Sequence, residues 1–365
     1  MENMNHMHGG DLDAIERKYH IKKEEIMDFS GNINPLGFPK SVAEKLAENI
    51  ALVSIYPDKD YCVLKKSIGE YTGADPKNIV VGNGSTELIS GFIKAIAPKN
   101  AVILGPAYSE YENEVSISGG KYIYFPLEEK DGFIINPEKL KSTITNDTDI
   151  FIACNPNNPT GTAIKTETMR EILAHAKKTG TVVMIDETYI EFSENLDELT
   201  SIPLVNEFDN LFVIRGISKF FAAPGLRLGY GISSNRDLMS KLSMAKDPWS
   251  VNILASFAGE HLYKDKKFIN ETKALIFSER KKALAELLSW KNIRVYPSSS
   301  NFILIKLITG KVKSCEVFEK LIVKKMLIRN AASFTFLDES FLRFCLLLPE
   351  QNAMLLSEMK KIIED

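Results

Sequence analysis

Cysteine is scarce and scattered along this chain. The 365 residues hold four, Cys62, Cys154, Cys315 and Cys345. No Cys-x-x-Cys pair occurs among them, which argues against a disulfide framework and a zinc site and predicts a reducing compartment. No apolar run approaches the ~20 residues that span a bilayer. Residues 1–10 are polar, contain two histidines and lack the apolar core of a secretory signal. The expectation is a cytoplasmic protein with no membrane partner. Positive charge is not in excess either: 45 Lys and Arg against 48 Asp and Glu leave a formal net charge of −3, so no basic field is available for nucleic acid. Internal repeats and low-complexity tracts are missing. So is a Gly-x-Gly-x-x-Gly after the early strands, which sets aside a dinucleotide-dependent dehydrogenase.

What the sequence does contain is the balance of an ordinary globular protein, 44% hydrophobic and 25% charged, at a length that suggests two packed domains. Short β-rich runs at 78–81, 101–104, 121–125, 149–154, 181–186, 211–215 and 228–232 alternate with helical stretches such as 86–96 and 166–178. Several of the runs are almost continuously apolar, as in strands covered by helices on both faces. In 166–178, Met169, Ile172, Leu173 and Ala176 fall at helical spacing. This alternation predicts an α/β fold with a mostly parallel seven-stranded sheet and a site at the carboxyl ends of its strands. From 253 to 290 the pattern becomes long and helical. Strands at 302–307 and 341–346 then alternate with helices at 314–325 and 350–363, an α+β pattern. The predicted organisation is an N-terminal segment (1–45) that joins the small domain and covers the site, a large domain (46–260) and a small C-terminal domain (261–365).

Polar and glycine clusters end the predicted strands. Gly82-Asn83-Gly84-Ser85-Thr86-Glu87-Leu88 follows a strand and opens a helix. Sharp turning at the glycines would leave free N–H groups and the positive end of the helix dipole for a phosphate-sized anion; alternatively, Ser85 is a plain N-cap. Asn155-Pro156-Asn157-Asn158-Pro159-Thr160-Gly161 forms a rigid polar loop whose amides can point into a cleft. In Ile185-Asp186-Glu187-Thr188-Tyr189, Asp186 ends a buried strand and needs a partner. A protonated pyridine nitrogen would be one, and would turn its ring into an electron sink for an α-carbanion. Finally, Arg215-Gly216-Ile217-Ser218-Lys219-Phe220-Phe221 continues to Gly225-Leu226-Arg227-Leu228-Gly229. A lysine among apolar residues sheds its proton readily and can form a Schiff base, while Ser218 and Arg227 offer a hydroxyl and a bidentate guanidinium for a phosphate. A solvated lysine would not explain why Arg227 and the glycines flank this one.

Together these motifs resemble those of the fold-type-I pyridoxal 5'-phosphate (PLP) enzymes of the aspartate aminotransferase superfamily, from about His8 to the C-terminal helix. The Ser-Lys-(x)7-Arg spacing is the most specific of them. The resemblance implies a PLP-dependent transferase-like fold, with Lys219 carrying the cofactor and Asp186 pairing with its ring nitrogen. It also implies Tyr189 and Asn158 at the ring 3'-oxygen, Tyr108 stacked on the ring, and Ser85, Thr86, Ser218 and Arg227 around the phosphate. Tyr56, in Ile55-Tyr56-Pro57-Asp58, matches the tyrosine that reaches the neighbouring subunit's phosphate in this family, implying a homodimer with shared sites. Arg343, in Leu342-Arg343-Phe344, matches the arginine that binds the substrate carboxylate; the bland alternative is a solvated strand arginine.

The closest branch is the one holding histidinol-phosphate aminotransferases and L-threonine-O-3-phosphate decarboxylases. His8-Gly9-Gly10-Asp11, Asp28-Phe29-Ser30-Gly31-Asn32-Ile33-Asn34 and Asp247-Pro248-Trp249-Ser250-Val251-Asn252 favour the decarboxylases. So does Leu327-Ile328-Arg329-Asn330-Ala331. By that match His8, Asn32, Asn158, Arg329 and Arg343 would contact a small phosphorylated amino-acid-like substrate, and the product would serve the cobalamin side chain. The other reading of the opening is a free terminus followed by a turn at Asn32 and Asn34. The chain departs from both families after Arg343, where Phe344-Cys345-Leu346-Leu347-Leu348 replaces a stretch that usually carries a further polar or basic residue. Transamination of histidinol phosphate with 2-oxoglutarate is the alternative activity, then broader amino-acid transamination. No metal is expected. A cofactor-sensing regulator would need a DNA-binding module, for which the sequence before His8 leaves no room, and a dead scaffold would be expected to lose Lys219 or Asp186.

Overall fold

The computed structural model describes residues 9–364. In chain order its strands are β1 (Met27–Asp28), β2 (Ile79–Gly82), β3 (Asn100–Gly105), β4 (Lys121–Pro126), β5 (Ile150–Cys154), β6 (Val182–Asp186), β7 (Leu211–Gly216), β8 (Gly229–Ile232), β9 (Ile293–Val295), β10 (Phe302–Leu307), β11 (Met326–Leu327), β12 (Arg329–Asn330) and β13 (Phe341–Cys345). All seven strands expected for the large sheet form, in the order β2-β8-β7-β6-β5-β3-β4. β8 is antiparallel to both of its neighbours, and every other pairing is parallel. β5 and β7 are buried along their whole length, which is why they read as unbroken apolar runs: helices cover both faces and no residue needs to suit water. β4 closes one edge, with Lys121, Tyr122 and Ile123 exposed.

The strand order reverses between β3 and β5. A crevice opens there at the carboxyl ends of the strands, where ligands bind in open α/β sheets. Five chain segments converge on it: the turns after β2, β3 and β5, the end of β6 and the loop after β7.

A second, antiparallel sheet has the order β12-β13-β10-β9, and β1 pairs in parallel with β11 beside it. β1, β9, β11 and β12 are two or three residues long, too short to show any periodicity, and sequence reading missed them. The predicted helix 314–325 stops at Ile322 because the chain must turn into β11 at Met326. The helix Lys266–Leu287 bridges the two sheets. Asp265 caps it by accepting from the Phe268 N–H, and it buries Phe268, Thr272, Ile276, Ala283 and Leu287 on one face. The same face buries Arg280, which donates to the carbonyls of Phe192 (2.9 Å) and Ser300 (2.7 Å), one on each side of the cleft. Among the described residues no helix is long and apolar enough to cross a membrane.

Candidate active site

The crevice is a recess of about 480 Å³ between the two sheets. Ser85, Thr86, Tyr108, Asn158, Asp186, Tyr189, Ser218, Lys219 and Arg227 line it from the large-sheet side, and Asn32, Arg329 and Arg343 complete its wall. Twelve of the fourteen residues singled out from sequence therefore meet in one cavity. Tyr56 does not; it is 77% exposed, with its ring 4.7 Å from that of Trp249. His8 lies outside the described residues.

At the floor, Asp186 is buried. Its Oδ2 accepts from the Tyr111 hydroxyl at 2.7 Å, and its Oδ1 accepts from the Thr188 N–H (2.9 Å) and hydroxyl (2.5 Å). Burial raises its carboxyl above the usual range even though these three donors pull it down. None of the ion pairs among the described residues involves Asp186, so a carboxylate supplied with neutral donors alone faces the cavity. Tyr111 and Thr188 were not found by sequence reading. Thr188 had a weak signal, two residues beyond Asp186, the spacing of an Asx turn.

Lys219 Nζ donates to the Gly31 carbonyl at 2.6 Å. Burial, and secondly the positive charge of Arg343, lower its pKa to about 8. The Gly31 loop is itself tied down by Asp28, whose Oδ1 accepts from the Ser30 N–H (2.7 Å), the Ser30 hydroxyl (2.6 Å) and the Gly31 N–H (3.2 Å). Asn34 Nδ2 donates to Phe220 O (2.7 Å) and Thr272 Oγ1 (2.8 Å), fixing this segment against the loop that carries Lys219. It has no place in the cavity wall.

The turn after β2 shows that Ser85 is not a plain cap. The helix Ser85–Ile96 has Gly84 at its N-cap (φ 84°, ψ 165°) with no side-chain capping bond, so its first N–H groups stay available. A Cβ on Gly84 would stand 2.5 Å from an Arg227 guanidinium nitrogen, and one on Gly229 2.6 Å from the Ser85 backbone nitrogen. Only glycine lets the backbone and Arg227 come this close, and the result is a small cradle of donors.

Arg343, read alternatively as a solvated strand residue, is buried. It donates to Asn158 Oδ1 and, at 2.6 Å, to Ser30 O, while its Nε has no partner among the described residues. Directly across the strand pair stands Arg329. Like charges directly opposite are destabilising. Burial and then Arg343 depress the Arg329 pKa to about 10. Phe334 lies between them, with its ring centroid 5.4 Å from one guanidinium and 6.0 Å from the other. Asn32 Nδ2 donates to the Tyr189 hydroxyl at 3.4 Å, leaving its own Oδ1 buried without a partner among the described residues.

A mostly parallel sheet with a lysine, a buried carboxylate and an anion cradle at its carboxyl ends defines an enzyme that holds a phosphorylated organic cofactor over a small-molecule substrate. The chain belongs to the aminotransferase class I and II family, whose model matches residues 24–359. It is 41% identical over 334 residues to a provisionally named threonine-phosphate decarboxylase of Caldanaerobacter subterraneus subsp. tengcongensis, covering 92% of this chain and 89% of the other. It is 30% identical over 359 residues to the threonine-phosphate decarboxylase of Salmonella typhimurium, covering 98% and 97%. The histidinol-phosphate aminotransferase of Clostridium acetobutylicum superposes with a TM-score of 0.86 at 33% identity, covering 92% of this chain and 98% of that one.

The cofactor of such an enzyme is pyridoxal 5'-phosphate, and the residues present fit it. Asp186 has no cation beside it among the described residues, and a protonated ring nitrogen would supply one. The glycine-lined cradle holds donors at phosphate scale, and Lys219 is the amine beside it.

Proposed function

We propose that this enzyme removes carbon dioxide from L-threonine O-3-phosphate, yielding (R)-1-amino-2-propanol phosphate for the cobalamin side chain. The observation that carries the reading is the Arg329–Arg343 pair: two cations face one cavity, neither in an ion pair among the described residues, suited to a substrate bearing two anionic groups. We assign Arg343 to the carboxylate and Arg329 to the distal phosphate, with Asn32 in the same wall; the family resemblance adds His8, outside the described residues, as a further substrate contact. Lys219 carries the cofactor, Asp186 pairs with its ring nitrogen, and Tyr189 and Asn158 meet its 3'-oxygen. Tyr108 covers its face, while Ser85, Thr86, Ser218 and Arg227 hold its phosphate.

When bound, PLP withdraws electrons from the substrate α-carbon so that a bond there can break heterolytically. The chain decides which bond. Arg343 would decide by the way it orients the carboxylate: with the C–C bond presented for cleavage, carbon dioxide would leave and Lys219 Nζ would return a proton to the α-carbon. With the C–H bond presented instead, Lys219 would take that proton and transamination would follow. This second reading, a histidinol-phosphate aminotransferase using 2-oxoglutarate or a related aminotransferase, is favoured by the close superposition on the Clostridium enzyme.

The deciding experiment gives the PLP-loaded enzyme L-threonine O-3-phosphate and assays carbon dioxide and aminopropanol phosphate, with histidinol phosphate plus 2-oxoglutarate assayed in parallel for glutamate. Carbon dioxide without glutamate is expected; glutamate without carbon dioxide would sink the decarboxylase reading.

Only neutral Lys219 attacks a carbonyl. With its pKa near 8, PLP uptake by apoprotein is expected to rise about tenfold per pH unit below that value and to level off above it. Stopped-flow absorbance from pH 6 to pH 10 checks this, and a flat profile would contradict it.

We also propose a homodimer with shared sites in the cytoplasm. Ile50, Val53, Ile55, Tyr56 and Val63 are exposed on one stretch of chain, an apolar surface of the kind that dimers cover, and the four cysteines are free. Sedimentation at the mass of one 40.9 kDa chain would refute the dimer.

A further inference from the structure

Arg329 does not reach the cavity by strand geometry alone. β12 is two residues long, and Arg329 is oriented by residues just beyond that strand: its guanidinium donates to Ser333 Oγ at 2.7 Å and lies over the Phe334 ring. Residues 331–337 form a strap. Asn330 starts it, its Oδ1 accepting from the Ala332 N–H at 3.0 Å. Its middle leaves the small sheet and its far end lands on the large one.

The landing point is specific. The Phe336 ring meets the Tyr124 ring edge-on, with centroids 5.6 Å apart and planes at 82°. It does so over Gly105, the last residue of β3. A Cβ there would lie 2.7 Å from Tyr124 Cδ1 and 3.0 Å from Phe336 Cε2. Tyr124 is in turn held by Glu112, a residue of the cavity wall, whose Oε2 accepts its hydroxyl at 2.6 Å. Phe336 makes this contact while 52% exposed and with φ at +70°. That backbone conformation is disfavoured for a bulky residue, and such strain persists only where surrounding structure holds it. The contacts that hold this exposed ring are its seat on Tyr124 and Gly105, and its neighbour Thr335 also hydrogen-bonds Tyr124.

We infer that Tyr124 and Phe336 form a latch across the cleft. They are positioning residues that seat the strap on the large sheet and so aim Arg329 into the cavity. This rests on the reading that Arg329 receives the substrate's distal anion. Releasing the latch weakens binding of a phosphorylated ligand and leaves the α-amino and carboxylate contacts intact.

The test uses holoenzyme of the wild type, Phe336→Ala and the conservative Phe336→Leu. Ligand binding is read from cofactor absorbance with L-threonine O-3-phosphate and with L-threonine, and amide hydrogen exchange is measured without ligand. In Phe336→Ala, half-saturation by L-threonine O-3-phosphate is expected to rise about tenfold and that by L-threonine to change less than about twofold. Exchange should quicken in 331–337 and stay unchanged in Phe302–Leu307, and Phe336→Leu should fall between. Equal weakening of both ligands, or unaltered exchange in 331–337, overturns the latch. If wild-type enzyme binds L-threonine O-3-phosphate no better than L-threonine, the substrate reading falls, and the exchange rates alone then decide the latch.

Discussion

Lys219→Ala is expected to reduce turnover by at least about a thousandfold, because on the proposed reading the variant loses both the amine that carries PLP and the group that moves the α-proton. Lys219 lies at the Gly31 carbonyl within the cavity, and among the described residues no other lysine lines it. A neighbouring lysine therefore cannot substitute. Two measurements separate this outcome from misfolding. The visible absorbance of a lysine-bound cofactor should vanish, while PLP added to the variant should still be retained through the Gly84–Ser85–Arg227 cradle and Asp186. Small exogenous amines should restore part of the activity, since the cavity keeps its other contacts. Retention of more than about a tenth of wild-type turnover would show that the chemistry does not run through this amine.

The second large effect concerns stability. Glu187 and Arg215 are buried directly behind the site, one next to Asp186 and the other four residues before Lys219. Arg215 donates to Glu187 Oε2 through Nε (3.0 Å) and a terminal nitrogen (2.8 Å), and also to Thr200 Oγ1 at 2.7 Å. Glu187 further accepts from the Ser201 N–H at 2.5 Å and the Thr200 hydroxyl at 2.9 Å. Breaking a buried pair by removing one partner leaves an uncompensated charge, which costs about 3–5 kcal/mol. Arg215→Met is expected to lose that much in urea unfolding, with Arg215→Met/Glu187→Gln recovering most of it. A single variant as stable as the wild type would show that water reaches this pair. The pair also joins the ends of β6 and β7, so a loosened variant should lose PLP affinity along with stability.

The sequence by itself determined the architecture of the large sheet and the local chemistry of each strand end. Strand β5 is apolar because helices cover both of its faces, and the turn after β2 carries Gly84 because its backbone sits at φ 84°. Each of these signals is carried by neighbours in the chain, which is why Asp186, Lys219, Ser85 and Arg227 could be picked out before any fold was known. The tertiary structure alone decided what those residues face. Tyr111 reaching Asp186, Gly31 receiving Lys219, Arg329 standing across from Arg343 and Phe336 seated on Tyr124 all join segments that are distant in sequence. Such contacts arise from strand order, register and the packing of one sheet against another, and no local period or turn motif encodes them. Two-residue strands such as β12 are set in the same way: they exist because a partner strand lies alongside, not because their own residues prefer to be extended.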